Sequence, residues 1–157
     1  MKSFLSAFFT LMALNCFSQA QSYELGGPAG KDTLNLIDIH NWKQGKWEER
    51  GYHHPKKGYT TEQLIESGRY KDNRKVGEWI FYHNIGNIKN KIMFVNGSMN
   101  GSYIAYYRDG SVFIEGKRIS TRWKGKLTIH DKFGNTFIIH HDEDGNEVSK
   151  EFIKAAK

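Results

Sequence analysis

The stretch that decides the fold is Gly77-Glu78-Trp79-Ile80-Phe81-Tyr82, which recurs as Gly101-Ser102-Tyr103-Ile104-Ala105-Tyr106 and as Gly125-Lys126-Leu127-Thr128-Ile129-His130. Each copy begins 24 residues after the previous one. A second glycine lies nine residues into each copy, at Gly86, Gly110 and Gly134. Pairs of turn-forming residues keep the same spacing, at Asp72-Asn73, Asn96-Gly97, Ser120-Thr121 and Asp144-Gly145. The first glycines, the second glycines and the turn pairs thus all recur with the same period of 24 residues, which indicates an array of small structural repeats.

Each unit is predicted to be a β-hairpin. Residues 79–82 are aromatic or β-branched, 83–87 carry turn residues, and 88–94 form a return strand. Because strand side chains alternate between faces, Trp79 and Phe81 share one face with the equivalent residues Tyr103, Ala105, Leu127 and Ile129. One hairpin cannot bury such a face, whereas stacked hairpins can. We therefore predict an all-β fold, an elongated, twisted antiparallel sheet of stacked hairpin repeats.

The glycines and aromatic residues that keep the period are the predicted structural positions of the repeat: Gly45, Trp47, Gly77, Trp79, Gly86, Gly101, Tyr103, Gly110, Gly125 and Gly134. The first unit is stretched, because residues 41–47 match residues 73–79 at an offset of 32. Eight extra residues are expected near 50–59. The predicted organisation is an N-terminal segment and capping strand over 21–40, repeats over 41–147 and a C-terminal cap over 148–157. The capping strand is expected from Leu34 to His40, and a short helix is a candidate conformation from Val148 to Ala156.

Residues 1–20 have the pattern of a cleavable signal peptide. Lys2 precedes an apolar run from Phe4 to Phe17, and Ser18-Gln19-Ala20 places small residues where a signal peptidase reads them. The run is shorter than a bilayer span requires. We expect export to the periplasm, the outer-membrane surface or the cell exterior. Cys16 lacks the small preceding residues of a lipoprotein signal.

Composition narrows the class of protein. Cys16 is the only cysteine, so the mature chain of about 137 residues has no disulfide, no thiol catalyst and no cysteine-based zinc site. Loss of Lys2 lowers the formal charge from +6 to +5, a mild surplus that favours acidic partner surfaces. Aromatic residues make up 14% of the chain, which does not fit disorder. Export disfavours nucleic acid as a partner.

The repeat resembles the bacterial variant of the MORN repeat, whose members are often labelled toxin-antitoxin system YwqK family antitoxin. The segments Lys43-Gln44-Gly45-Lys46-Trp47 and Gly77-Glu78-Trp79-Ile80-Phe81-Tyr82 carry the resemblance, which spans residues 41–147. It implies stacked antiparallel hairpins and contact with a protein or a membrane surface. The third unit departs from the pattern, because Leu127 replaces the aromatic residue and His130 replaces the tyrosine.

Metal ligation has little support in the sequence. His140 and His141 are adjacent on a predicted strand, so they point to opposite faces and cannot easily share one ion. Residues 142–146 resemble half of a calcium loop, but Ile153 occupies the twelfth position, where a bidentate glutamate is needed. The repeat's turn register already explains Asp144-Gly145. We predict no metal and no cofactor.

Catalysis is not expected either. The sequence has no nucleophile elbow and no glycine-rich phosphate loop. Carboxylate pairs for glycoside hydrolysis could be drawn from Glu48, Glu49, Glu66 and Glu78, but solvated strand positions explain them better. We predict that the chain is not an enzyme, with an envelope hydrolase as a remote third class.

The expected activity is binding. Insertions in repeat arrays often fall on the binding face, and the aromatic ladder offers a platform for a peptide, a glycan or a lipid headgroup, although packing within the sheet also explains it. The candidate binding residues are Arg50, Tyr52, His53, His54, Lys56, Lys57, Tyr59, Tyr82, Tyr106 and Tyr107. The first hypothesis is an exported protein- or envelope-surface-binding scaffold. The alternative is an immunity or antitoxin protein that neutralises a toxin. The sequence leaves the oligomeric state and the partner open.

Overall fold

The computed structural model describes residues 20–26, 32–53 and 57–155, which form one open antiparallel sheet of eleven strands in sequence order. The described part contains no helix. Every strand pairs with its neighbours in sequence, as stacked hairpins require, so the predicted fold is confirmed. The strands are β1 (Ala20–Gly26), β2 (Asp32–Asp38), β3 (Lys43–Arg50), β4 (Leu64–Lys71), β5 (Arg74–Tyr82), β6 (Ile88–Val95), β7 (Ser98–Tyr106), β8 (Val112–Ile119), β9 (Arg122–His130), β10 (Thr136–His141) and β11 (Glu147–Ile153).

Two kinds of turn alternate along the chain. The β6–β7 connection is a two-residue turn in which Asn96 and Gly97 have φ values of 50° and 84°, a backbone that twists with the strands it joins. At the opposite ends of the strands, the turns have a second geometry. There the Gly110 N–H donates to the Tyr107 carbonyl at 3.1 Å, and Gly110 has φ of 90°. Gly86 and Gly134 repeat this second geometry. The last turn, at residues 142–146, also adopts it, although its position is that of the two-residue turns.

The first glycine of each copy forms a β-bulge. Gly77, Gly101 and Gly125 have φ values of 70°, 127° and 65°, which glycine adopts at little steric cost. The register against the preceding strand shifts beside each of them. The bulges therefore explain why these glycines keep the period, and they increase the local twist of the sheet.

The core lies on one side of the sheet, which we call the aromatic face. Trp79, fully buried at 0% exposure, packs with Trp47, Ile92 and Phe94. Gly68 leaves room for the Trp79 ring, since a Cβ at Gly68 would lie 2.4 Å from ring carbons. The ladder places Trp79 opposite Ile92 and Ile92 opposite Tyr103. Neighbouring hairpins thus supply each other's interior.

Both ends of the sheet differ from the sequence expectation. The candidate helix over Val148 to Ala156 is wrong, because β11 pairs with β10 through Phe152 opposite Phe137. Their rings lie 4.8 Å apart, and this pairing outweighs the helix propensity of a segment rich in Lys, Glu and Ala. At the other end, the predicted capping strand corresponds to β2, but the edge of the sheet is formed by β1, a strand that the sequence analysis did not predict. The predicted leader lies outside the described residues apart from Ala20, where β1 begins.

Candidate binding sites on the aromatic face

The connection between β3 and β4 covers residues 51–63, whereas the equivalent connections cover 83–87, 107–111 and 131–135. The candidate binding residues His54 and Lys56 lie outside the described residues. In the described part of this loop, Tyr52 and Lys57 are exposed, while Arg50 pairs with Glu48 at 2.6 Å. Arg50 is thereby held against its own strand.

His53 belongs to a hydrogen-bond network and not to an exposed docking tip. Its Nε2 lies 2.9 Å from Glu24 Oε1, and its Nδ1 accepts the Arg50 backbone N–H at 2.9 Å. Because Nδ1 accepts, the proton of the neutral ring is on Nε2, which donates to Glu24. The imidazole therefore anchors the long loop to β1.

Buried Asn35 completes this network. Its amide donates to Glu24 Oε2 at 2.8 Å and to the Glu48 carbonyl at 2.9 Å, and its oxygen accepts the Glu48 N–H at 2.8 Å. The Asn35 side chain thus continues the pairing of β2 with β3 beyond their two backbone-paired positions. An isolated Asn in an apolar strand was the only sequence signal for this site, and Glu24 had none.

Tyr59 and Tyr107 are used inside the sheet. The Tyr59 hydroxyl donates to the Tyr82 carbonyl at 2.7 Å, and the Tyr107 hydroxyl donates to the His130 carbonyl at 2.9 Å. His83 occupies the equivalent position in the intervening repeat, and its Nε2 lies 3.2 Å from the Tyr106 carbonyl oxygen. These three contacts, which we call the carbonyl clamps, tie each turn to the end of the next hairpin.

An open groove of about 1120 Å³ lies beside the glycine turns, and we call it the turn groove. Tyr103, Ala105 and Ile114 form its apolar base. Of the ten candidate binding residues, Tyr106 and Tyr107 line it, and the described candidates of the long loop do not. Tyr82 lies elsewhere, with its hydroxyl 3.3 Å from Ser67 Oγ. The predicted residues are therefore divided among several places.

The two aspartates that line the turn groove accept hydrogen bonds within their own turns. Asp131 accepts from the Asn135 amide at 2.7 Å and from the Asn135 and Phe133 backbone N–H groups, and these bonds lower the pKa of its carboxyl. Asp109 accepts from the Ser111 hydroxyl and N–H, which lowers its pKa in the same way. Both carboxylates are thus committed to their own turns.

The cations of the turn groove contact neutral groups, and Lys132 also interacts electrostatically with Asp109. Arg108 donates to the Asn84 side-chain oxygen at 2.7 Å, and the Lys132 ammonium lies 5.5 Å from the Tyr107 ring centroid. Lys89 is exposed and also lines the groove. The rim therefore offers three positive charges that can meet an acidic ligand.

A second cavity of about 410 Å³, which we call the N-terminal pocket, lies where the β1–β2 hairpin meets the long loop. Trp47, Lys43, Glu24, Glu49 and His53 are among the residues that line it. The Trp47 indole N–H donates to Glu49 Oε2 at 2.9 Å. The pocket thus combines an aromatic ring with two carboxylates.

Cations stack on rings along the whole aromatic face. The Lys43 ammonium lies 4.5 Å from the Trp47 centroid, the Lys75 ammonium 3.9 Å from that of Trp79, and the Arg118 guanidinium carbon 4.6 Å from that of Trp123. Such contacts contribute about 0.5–2 kcal/mol each, depending on desolvation. The predicted aromatic ladder is mainly packing within the sheet, with basic side chains over it.

Three of the four carboxylates considered for hydrolysis, Glu48, Glu49 and Glu66, have partners within the sheet. Both Glu66 oxygens accept from Lys75, at 2.8 and 2.9 Å, and Glu78 is exposed. Within residues 20–26, 32–53 and 57–155, no three His, Cys, Asp or Glu side chains are placed to share a metal ion. The same part of the chain holds no helix with the length and apolar character to cross a bilayer.

No protein-family model matches this chain, and no curated protein matches it.

Proposed function

We propose that this chain is a non-catalytic binding module that holds an extended acidic segment of a partner protein in the turn groove. The observation that carries the proposal is the excess of positive charge at the rim. Three cations line the groove, Lys89, Arg108 and Lys132. The carboxylates that line it with them are those of Asp109 and Asp131, which also accept hydrogen bonds from their own turns. The available charge of the groove is therefore positive.

The shape of the turn groove favours a peptide segment. Its volume of about 1120 Å³ exceeds the ~300–1,000 Å³ typical of small-molecule pockets. The apolar base at Ala105 and Ile114 would accept an aliphatic or aromatic side chain, and rings at Tyr103 and Phe113 would add contact area. A segment that alternates acidic and apolar residues matches both features.

Export through a cleaved leader is part of this proposal. In the periplasm or outside the cell, the partner would be an envelope or secreted protein with an acidic surface segment. A scaffold of this kind needs no cofactor, because its affinity comes from burial of apolar surface and from charge complementarity.

The test is fluorescence anisotropy with a labelled peptide that alternates Glu and Phe. Lys132→Glu and Arg108→Glu are each expected to weaken binding by about tenfold, mostly at low salt. Lys117→Glu is the matched control, because Lys117 is equally exposed and lies outside the groove. Equal binding of a peptide with Lys in place of Glu, or equal losses in all three variants, would show the proposal to be wrong.

A further inference from the structure

We propose that a cavity on the face of the sheet opposite the aromatic face is a second binding site, which takes the phosphomonoester group of a small sugar phosphate. The cavity has a volume of about 450 Å³ and is lined by Lys117, Lys124 and Lys126, so we call it the lysine cavity. It shares no lining residue with the turn groove. The inference therefore does not depend on the proposed function.

The lining of the lysine cavity comes from three neighbouring strands. Ser102 and Ile104 belong to β7, residues 115–117 to β8, and residues 124–126 with Thr128 to β9. All three strands lie inside the unbroken described stretch 57–155, with β6 and β10 on either side of them. The undescribed residues 27–31 and 54–56 belong to connections among β1 to β4. The cavity is therefore formed by described strands with described neighbours.

The arrangement of the three lysines is unfavourable for the sheet itself. Lys117 lies directly opposite Lys124 in the pairing of β8 with β9. Lys126 follows Lys124 by two residues and therefore shares its face. Like charges directly opposite each other destabilise a sheet, because their Cβ atoms are only about 5 Å apart. A tetrahedral dianion between the three ammonium groups would turn this repulsion into binding.

The repeat does not require lysine at these three places. At the equivalent positions 24 residues earlier, the chain has Met93, Asn100 and Ser102. The same fold thus accepts neutral side chains there. The lysine cluster is a feature of one unit, unlike the glycines and aromatic residues that keep the period, and a binding site accounts for it where the fold does not.

The lysine cavity has an excess of positive charge after its carboxylates are counted. Glu115 lines the cavity, and Glu143 forms an ion pair with Lys124. In the described part of the chain, Lys117 and Lys126 form no ion pair. Three ammonium groups against two carboxylates leave one positive charge.

A neighbouring lysine raises this excess. Lys91 on β6 lies directly opposite Ile104 on the same face and adds a second positive charge. Glu78 on β5 and Glu151 on β11 are carboxylates of that face, but β6 and β10 separate them from the lining strands. An excess of two positive charges matches a doubly charged phosphomonoester.

The other contacts of the cavity suit a small molecule with hydroxyl groups. Its volume falls within the ~300–1,000 Å³ typical of small-molecule sites. Ile104 offers an apolar floor for a carbon skeleton, and Ser102, directly opposite Lys117, offers an exposed hydroxyl. The Glu143 side chain is 83% exposed, so its ion pair with Lys124 is weak and a dianion displaces it easily.

The experiment is a titration of the isotope-labelled protein with glucose 6-phosphate at neutral pH and low salt, followed by the backbone amide resonances of Gly116 and Gly125, which line the cavity. The wild-type protein should show a saturable shift. Lys117→Met and Lys124→Asn should each weaken binding by about fivefold or more. Glu143→Gln should tighten it by about twofold or more, because it removes the internal competitor.

A second measurement does not depend on the ligand. Lys117→Met introduces the residue of the previous repeat and removes the repulsion with Lys124, so it should raise the urea midpoint at low salt while it lowers the affinity for glucose 6-phosphate. Opposite changes in stability and affinity distinguish a binding residue from a structural one. A lower midpoint for this variant would contradict the inference.

Controls separate the phosphate group from general attraction of anions. Glucose and gluconate, which are neutral and singly charged, should bind at least about tenfold more weakly. Lys71→Met removes an exposed lysine outside the cavity and should leave the affinity unchanged. Phosphatidylcholine vesicles that contain phosphatidate should not sediment the protein. The inference is overturned if glucose 6-phosphate gives no saturable shift, if gluconate binds equally well, if Lys71→Met weakens binding as much as Lys117→Met, or if the vesicles bind the protein through the same lysines.

Discussion

The ion pair of Lys75 with Glu66 offers a quantitative test of how the repeats are held together. Both side chains are about one-fifth exposed, at 21% and 20%, and the lysine also covers Trp79. At the equivalent positions 24 residues later, this pair is replaced by Met99 and Asn90. Lys75→Met and Glu66→Asn therefore introduce residues that the same fold already accepts 24 positions later.

Removal of the lysine should lower the free energy of unfolding more than removal of the carboxylate does. Breaking a fully buried pair costs about 3–5 kcal/mol, and the partial exposure of this pair reduces the expected cost of Lys75→Met to about 2 kcal/mol. Glu66→Asn should cost about 1 kcal/mol, because the ammonium keeps its contacts with Trp79 and Phe81. The double variant should be within about 1 kcal/mol of the wild type.

The wild type, the two single variants and the double variant form a double-mutant cycle. Urea unfolding, followed by tryptophan fluorescence and by circular dichroism, measures the free energy of unfolding of each of the four proteins. We expect a coupling energy of about 2 kcal/mol between the two positions. Lys71→Met, on an exposed side chain of the same hairpin, should change stability by less than about 0.5 kcal/mol. Additive single and double variants would refute the idea that neighbouring repeats are joined through this pair.

Other positions give simpler outcomes. Gly68→Ala should lower the free energy of unfolding by about 3 kcal/mol or more, because the added Cβ would collide with the Trp79 ring. At Gly110 an added Cβ meets no atom within 4 Å, so Gly110→Ala should cost only the ~1 kcal/mol of a positive φ. Equal losses for the two variants in denaturant unfolding would contradict this. Burial, helped by nearby carboxylates, raises the pKa of Tyr70 from 10.0 to about 12, so its contribution to stability should be intact below pH 10 and lost as the pH rises towards 12. Absorbance at 295 nm during alkaline titration checks this, and Tyr70→Phe should lack the loss. The Asn146 amide and backbone N–H groups lower the pKa of Asp142, so its contribution should hold above pH 3.8 and fall at lower pH; Asp142→Ala should remove that acid sensitivity from the hydrogen exchange of β11.

The period of 24 residues predicted the strand order and the shared face because each repeat contributes the same residue types at the same places. It could not predict the carbonyl clamps, since Tyr59, His83 and Tyr107 differ in type and each bonds to a backbone carbonyl that carries no sequence signal. The network of Glu24 and His53 was also missed, because the long loop brings together positions 29 residues apart.

The candidate helix at the C-terminus failed for a related physical reason. Propensity favoured a helix over residues 148–156, but the edge of β10 offers a row of backbone hydrogen bonds that a helix cannot use. For the binding residues, composition predicted only that basic and aromatic side chains would be used. Which of them are already engaged within the sheet, such as Tyr107, depends on contacts 23 residues away.

A sheet in which each strand forms its backbone pairing only with its sequence neighbours behaves energetically much like a one-dimensional chain of links. Fraying should begin at the outer strands and stop at the unit around Trp79, so amide protection should decline from the middle towards both ends. Excision of one complete period, for example residues 97–120, would join equivalent positions and leave a shorter but intact array. Length is thus a property that this architecture can gain or lose in whole units.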